Sequence, residues 1–594
     1  MRRFVAAALL LVLQSAAGAV RAQGVDAHAR LTAIARDFTY TMARRHPMTA
    51  TAAGIPGYDG LLETPSVQYR DEDLRLLRTW LSQVQAIVRE SGSPALVDAD
   101  DAKLLSAQLT SQINALTVYD ADEKDYGGPA NSVVNAIFTQ FQNLPIAGRD
   151  GATAQDVRGA WNDITSRLAK SPAYIAATQA LVTHPGHLYG VAASEQLGGA
   201  PSFLNGALTN AAKAQLSSAA FARFAAARDA ALQSIARTKQ YIDAHVASWP
   251  ENYAMGRAAY DRMLRDEQLL PYDTSAVERL AQAELAHGWA VESWLTALSH
   301  ERGTPFGPQT GGGLAPGGPP LIAYYHARIA DLYRFVKSHG IVTIPSWLGM
   351  VKVTETPSFL QPVSPGASMN PPLLFSKSTT GYYFITPPKS LADAAMRLDM
   401  NEDFDRDRIW STAAHEVMPG HFLQLSIAKR NPDFIRRIQG SGVFAEGWAF
   451  YGEEMFVQLG LYGSDLDGRL YTARWERVRG ARAVVDPKLA SGEWSFDRAV
   501  DFFQQQTGFT HDAAVAETMA IALGPGYFIS YTVGRQQLED LLAQYWLREG
   551  ARGSLLDFHD RLMCYGTTPF AVVAPELLRD LKRPRAELMR SVNY

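Results

Sequence analysis

His415-Glu416-Val417-Met418-Pro419-Gly420-His421 decides how this chain is read. It places two imidazoles and a carboxylate within one short stretch. A second acidic segment follows about one helix later, Ala445-Glu446-Gly447-Trp448-Ala449-Phe450-Tyr451-Gly452-Glu453-Glu454. Imidazole nitrogen and carboxylate oxygen are the usual zinc ligands, and three protein ligands plus a water make a catalytic site. The spacing predicts that His415, His421 and Glu446 hold Zn2+ and that Glu416 handles the proton of the bound water. The ligand set suits zinc best, though iron or manganese accept it too.

The familiar H-E-x-x-H zinc pattern sets its histidines four apart on one helix face. Here the separation is six residues. At about 100° per residue, six residues turn through roughly 600°, which leaves the second ring about 120° from the first. An unbroken helix cannot aim both rings at one ion. Pro419 removes a backbone donor and Gly420 tolerates angles closed to other residues, so a kink or bulge is expected there, returning His421 towards His415. The bland alternative is two unrelated histidines beside a broken helix. Glu446, at 446 − 421 = 25 residues beyond His421, favours the metal reading. A reversal between antiparallel helices returns it to the ion.

HEVMPGH followed by EGWAFYGEE resembles the bacterial family known as domain of unknown function 885. Further segments carry the same resemblance: Pro47-Met48-Thr49-Ala50-Thr51, Arg482-Ala483-Val484-Val485-Asp486, Gly524-Pro525-Gly526 with Ser530-Tyr531-Thr532-Val533-Gly534-Arg535, and Asp557-Phe558-His559-Asp560. It implies a helical zinc-peptidase-like protein, distantly similar to the thermostable carboxypeptidase Taq and oligopeptidase groups. Two positions depart from the family pattern. Ala490 stands where a histidine is common, and Ala520-Ile521 where Arg-Tyr is common. Both fall where the substrate pocket is expected.

The chain opens with Met1-Arg2-Arg3, an apolar run from Phe4 to Leu13, and a small-residue site at Val20-Arg21-Ala22. The pattern is a secretory signal peptide, and the run is too short to span a bilayer. Cleavage near Ala22 leaves 594 − 22 = 572 residues and moves the net charge from −4 to −4 − 3 = −7. A periplasmic or secreted protein with no stable membrane anchor is expected. A mildly acidic chain without basic runs disfavours nucleic acid as a partner. Cys564 is the single cysteine, so no internal disulfide forms. It reads as a buried core thiol.

Residues 23–302 read mostly as helices, with stripes such as Leu74, Leu77, Leu81, Val84 and Val88 on one face. Residues 303–320 hold seven glycines and five prolines and read as a loop dividing this region from a catalytic one over 321–594. After a helix at 321–338, strands are expected at Ile341–Ile344, Val351–Thr354 and Tyr382–Thr386. The fold class is mainly α, a zincin-like helical architecture with a small antiparallel β element beside the metal helix. An edge strand carrying Tyr382 and Tyr383 could pair with an extended peptide; a purely structural hairpin is the equal alternative. The metal helix should begin near 403–407, and Val443–Leu459 should form the helix that carries Glu446. Either Glu453 or Glu454 could orient a ligand histidine.

A second donor to a developing oxyanion is usually needed, and Tyr531 comes first and Tyr527 second for that work. Arg535 is the first choice to clamp a peptide carboxylate and Arg482 its rival; both could instead pair with structural acids such as Asp486 or Glu517. His511 could meet substrate or serve a helix N-terminus equally well, and His559 reads as structural. The function expected is hydrolysis of short peptides by Glu-assisted attack of water, of carboxypeptidase or oligopeptidase type. A zinc amidase on a non-peptide amide, an inactive peptide-binding protein and a structural protein with a vestigial motif are the other readings. Oligomeric state is not legible.

Overall fold

The computed structural model describes residues 27–91, 96–148, 151–302, 319–361, 366–386 and 406–594. The expected leader and cleavage position, most of the Gly/Pro-rich stretch and residues 403–405 lie outside the described residues. Within them the chain is mainly helical.

Helices before the sheet include α1 (Val67–Ser91), α2 (Gly128–Gln142), α3 (Ala154–Gln179), α4 (His187–Asn205), α5 (Ser218–His245), α6 (Thr274–Arg302) and α7 (Pro319–Ser338). Three strands follow, β1 (Val351–Glu355), β2 (Ala367–Asn370) and β3 (Gly381–Ile385). Then come α8 (Arg406–Glu416), α9 (His421–Ala428), α10 (Phe434–Arg437), α11 (Gly442–Gln458), α12 (Leu466–Ala490) and α13 (Ser530–Glu549).

The stripe on α1 is real but rotated from the one expected. Leu77, Trp80, Val84 and Ile87 are buried, whereas Val88 is exposed. Trp80 decides the rotation: its indole fills the core beside Phe38 while its N–H reaches Asp37 at 2.9 Å. A large apolar body with one polar handle is best placed this way.

The sheet is mixed, not purely antiparallel. Its order is β1-β3-β2, with β1 parallel and β2 antiparallel to β3. Ile341–Ile344 does not form a strand. Its backbone polar groups are taken by side chains instead: Asp560 accepts from the Thr343 N–H at 2.7 Å, and Ile341 and Thr343 carbonyls accept from His559 and Tyr594, each at 2.8 Å. Burial without a sheet partner requires that kind of substitute. β2 was not expected from the sequence, since Ala-Ser-Met-Asn carries little strand signal.

β3 lies between two cores. Phe384 packs with Phe138 and Phe359 in a core built from α2–α5. Tyr383 packs with Tyr325 in a larger core that holds α8, α9 and α11. That larger core runs from Leu188 to Leu578 and takes Val277, Ala281 and Leu285 from α6. The helices before residue 303 and those after it therefore share one interior.

Candidate metal centre

The break between α8 and α9 brings the imidazoles together. α8 ends at Glu416, and both Val417 and Met418 N–H bond the Ala413 carbonyl, at 2.8 and 3.1 Å. Pro419 has no donor to extend the ladder. Gly420 is required next, because a Cβ there would lie 1.7 Å from the His415 carbonyl oxygen. α9 then restarts with His421 as its first residue. A full interruption replaces the expected kink, with the expected result. The two rings stand perpendicular, their centroids 4.8 Å apart. Trp448 holds the break in place by donating its indole N–H to the Pro419 carbonyl at 2.8 Å.

Glu446 arrives from α11, which the Ser441 hydroxyl caps by accepting from the Phe444 N–H at 3.2 Å. Its Oε2 lies 3.2 Å from His415 Nε2 and 3.4 Å from His421 Nε2. One donor atom from each of the three residues falls within 4.8 Å of the others, and all three residues are buried. Glu446 Oε2 has no hydrogen-bond donor among the described residues. Leaving such an oxygen buried and unpaired is costly, and a cation removes the cost. Two imidazole nitrogens and that oxygen fit a divalent metal of the zinc kind.

The surroundings orient this set. His415 Nδ1 hydrogen-bonds Glu453 Oε1 at 2.7 Å, which leaves Nε2 to face Glu446. Glu453 accepts in turn from Ser411 at 3.0 Å and from Arg479 at 2.6 and 3.1 Å. Such outer partners fix a ligand's tautomer and ring orientation. Burial alone would lower the His415 pKa, but the Glu446 and Glu453 carboxylates facing its two nitrogens outweigh it and hold it at about 9. Burial pushes Glu446 up, yet the His421 and His415 rings bring it well below the usual carboxylate range. Glu416 is half-buried and makes no hydrogen bond among the described residues. Burial raises its pKa against the pull of His415 and His421.

Of the two tyrosines expected at the centre, Tyr527 is the one that bonds Glu446. Its hydroxyl donates to Glu446 Oε1 at 2.6 Å. The Tyr531 hydroxyl lies behind it, 3.5 Å from the Tyr527 oxygen, and its ring stacks 6.1 Å from that of His415. The loop carrying Tyr527 is fixed by Asp486, whose carboxylate accepts from the Gly526, Phe528 and Ile529 N–H groups at 2.8, 2.9 and 3.3 Å. Tyr260 donates to the same carboxylate at 3.0 Å. α13 lies unusually close to α11: a Cβ on Gly447 would sit 2.4 Å from the Gly534 carbonyl carbon, and one on Gly534 2.0 Å from the Val443 oxygen. That contact brings Tyr527 and Tyr531 within reach of Glu446.

Neither arginine expected to clamp a carboxylate is free to do so. Arg535 is buried over the Phe450 ring at 4.4 Å and bonds Glu284 and, at 2.9 Å, Glu454. Arg482 makes a two-pronged pair with Glu517 at 2.9 and 2.8 Å. The structural-pair alternative describes both. Tyr382 and Tyr383 belong to the central strand, whose two edges are already occupied, so no peptide adds there. Tyr383 is core, and Tyr382 donates to the Gln142 carbonyl at 2.6 Å. His559 is buried between Ile341 and Tyr451, with its pKa lowered to about 4 by burial. Ala490 is buried at the end of α12 and Ala520 is exposed. Cys564 is a buried thiol, as expected.

Sequence reasoning passed over Arg479 and Ser411. Arg479 sits one turn before Arg482 on α12, so a residue already suspected pointed to it through the i, i+3 rule. Ser411 sits one turn before His415 in the same way.

Two solved structures share this fold. One, from Shewanella oneidensis, is a protein of unknown function presumed to be a lipoprotein; it is 19% identical, with a TM-score of 0.70 over 92% of this chain and 99% of its own. The other, a presumed lipoprotein from Colwellia psychrerythraea, is 17% identical, with a TM-score of 0.75 over 94% and 100%. A comparison with curated proteins finds no match. The family described as bacterial protein of unknown function (DUF885) matches residues 47–293 and 312–577, and this chain belongs to it.

Proposed function

We propose that this chain is a zinc-dependent hydrolase that cleaves peptide bonds in short peptides, of carboxypeptidase or oligopeptidase type. The observation that carries the reading is the meeting of His415 Nε2, His421 Nε2 and Glu446 Oε2 beside the uncommitted carboxylate of Glu416. Zinc, when bound, supplies a Lewis acid and lowers the pKa of a water to about 7. The remaining work falls to the chain. Glu416 takes the proton from the attacking water and delivers it to the leaving amine, which is worth about 10²–10⁴-fold in rate. A carboxylate with no hydrogen bond of its own is suited to both transfers. Tyr527 fixes Glu446 and so positions a ligand; Tyr531 backs it. Glu453 and Arg479 hold His415 in the tautomer that presents Nε2.

Export through a leader over residues 1–22 belongs to the same reading, and the presumed lipoprotein nature of the two fold neighbours supports it. Among the described residues no helix is long and apolar enough to cross a membrane.

Elemental analysis of the purified protein, with product mass spectrometry on defined peptides and amides, tests the proposal. Wild type should carry one zinc and hydrolyse peptides. Glu416→Gln should keep the metal and lose about 10²–10⁴-fold in rate. A variant as fast as wild type removes Glu416 from the mechanism. A zinc-loaded wild type that cleaves no peptide but does cleave simple amides turns the reading to an amidase.

A further inference from the structure

A second cavity, of about 380 Å3, lies between α2, the sheet and the helices α9 and α10. None of the metal ligands lines it. Its apolar wall is Leu373, Leu374 and Leu425, and its polar wall includes Lys429 and Arg437. No Asp or Glu lines it among the described residues.

Both cations are half-buried, and neither is paired as the more deeply enclosed arginines are. Arg436 is paired with Glu576 and Asp101, Arg479 with Glu453, Arg482 with Glu517 and Arg535 with Glu284. Arg167 lacks a carboxylate but gives its protons to five oxygen contacts. Arg437, next in sequence to Arg436, has neither. Its guanidinium lies by the Phe434 and Phe375 rings at 5.3 and 5.5 Å, and its buried Nε has no acceptor. Lys429 donates to the Ser378 carbonyl at 2.7 Å and to the Ser376 hydroxyl at 3.4 Å. An ammonium has three protons, so one remains. Neither cation has a carboxylate partner among the described residues. A half-buried charge without a counter-charge is a cost that a packed protein rarely leaves standing. Burial lowers Lys429 to about 8, and burial with the like charge of Arg36 nearby lowers Arg437. A ligand carrying the missing negative charge would relieve both.

We infer that this cavity binds a small organic molecule carrying an oxyanion, its negative group held between Lys429 and Arg437 and its apolar body against Leu373, Leu374 and Leu425. The volume lies within the range of small-molecule sites, roughly 300–1,000 Å3. A planar guanidinium beside an ammonium suits carboxylate and phosphate alike. A protein of net charge −4 has no general attraction for anions, so selectivity would be local to this wall.

Crystals of the whole protein soaked with 4-bromobenzoate, together with calorimetric titration of 4-bromobenzoate, phenyl phosphate and neutral 4-bromobenzamide, test this. The expected result is a bromine anomalous peak in this cavity, binding by an acid but not the amide, and affinity reduced at least tenfold in Lys429→Met/Arg437→Met. Stronger binding of bromobenzoate assigns a carboxylate ligand; stronger binding of phenyl phosphate, with its phosphate seen between the two cations in a parallel soak, assigns a phosphate. The inference is overturned if both ligands are found only at the metal centre or nowhere, or if the amide binds as well as the acids. It is also overturned if the double variant melts as wild type does and keeps full affinity. Should the double variant not fold, the ligand positions in wild-type crystals decide alone.

Discussion

Among the described residues, two groups of three histidine and carboxylate side chains lie close enough to hold a metal ion, and they are not alike. His415, His421 and Glu446 form one; His28, Asp101 and Asp433 form the other. Distance alone ranks them together. Their lone pairs separate them. Asp101 gives one oxygen to Arg436 at 2.8 Å and the other to His28 at 3.1 Å. Asp433 caps α10 by accepting from the Arg436 N–H at 3.1 Å. His28 is substantially exposed, with a ring nitrogen towards each acid. That group is a structural clasp around Arg436. In the first group Glu446 Oε2 has no donor, and His415 uses only Nδ1 on a neighbour's carboxylate. A metal site is recognised by what its ligands have left to give.

The sharpest test of the contrast is metal content. His421→Ala should abolish stoichiometric zinc, whereas His28→Ala should keep it, as read by elemental analysis after dialysis. Loss of zinc in the second variant would erase the distinction. The clasp should instead show itself in stability. Arg436→Met leaves Asp101 and Glu576 buried without a counter-charge and should cost about 3–5 kcal/mol in urea unfolding. Next in size, Glu453→Gln should weaken zinc binding about 10–100-fold, because it releases the His415 ring. Smallest, Tyr527→Phe removes one hydrogen bond to Glu446 and should weaken zinc by about 1 kcal/mol, a factor of about five. A larger loss on Tyr527→Phe than on Glu453→Gln would mean that Glu446, not His415, is the ligand most in need of support.

The pairing of His415 with His421 and the break at Pro419-Gly420 were legible because they are local: a spacing, a helix period and two backbone-special residues. Glu446 was legible as the nearest acid on the next helix. Interactions between distant segments were not. Nothing in the sequence near Arg535 announces that Glu284, on a helix in the other half of the chain, will neutralise it. Likewise Ile341–Ile344 has the composition of a strand, and only the arrival of Asp560, His559 and Tyr594 shows why it needs no strand partner. That Tyr527 bonds Glu446 turns on the loop that Asp486 ties down, a contact spanning 40 residues. The expected division near residue 303 marks a change of composition, while the interior runs across it because α6 packs directly against α12.

The contact of Gly447 with Gly534 has a mechanical side. Main chain rests on main chain there, with no rotamers in between to flex or relax. The separation of the helix that bears Glu446 from the helix that follows Tyr527 is thus set by van der Waals radii, like two rods clamped without a washer. Repacking of side chains elsewhere has little purchase on that gauge, and Glu446 keeps its place beside the two imidazoles.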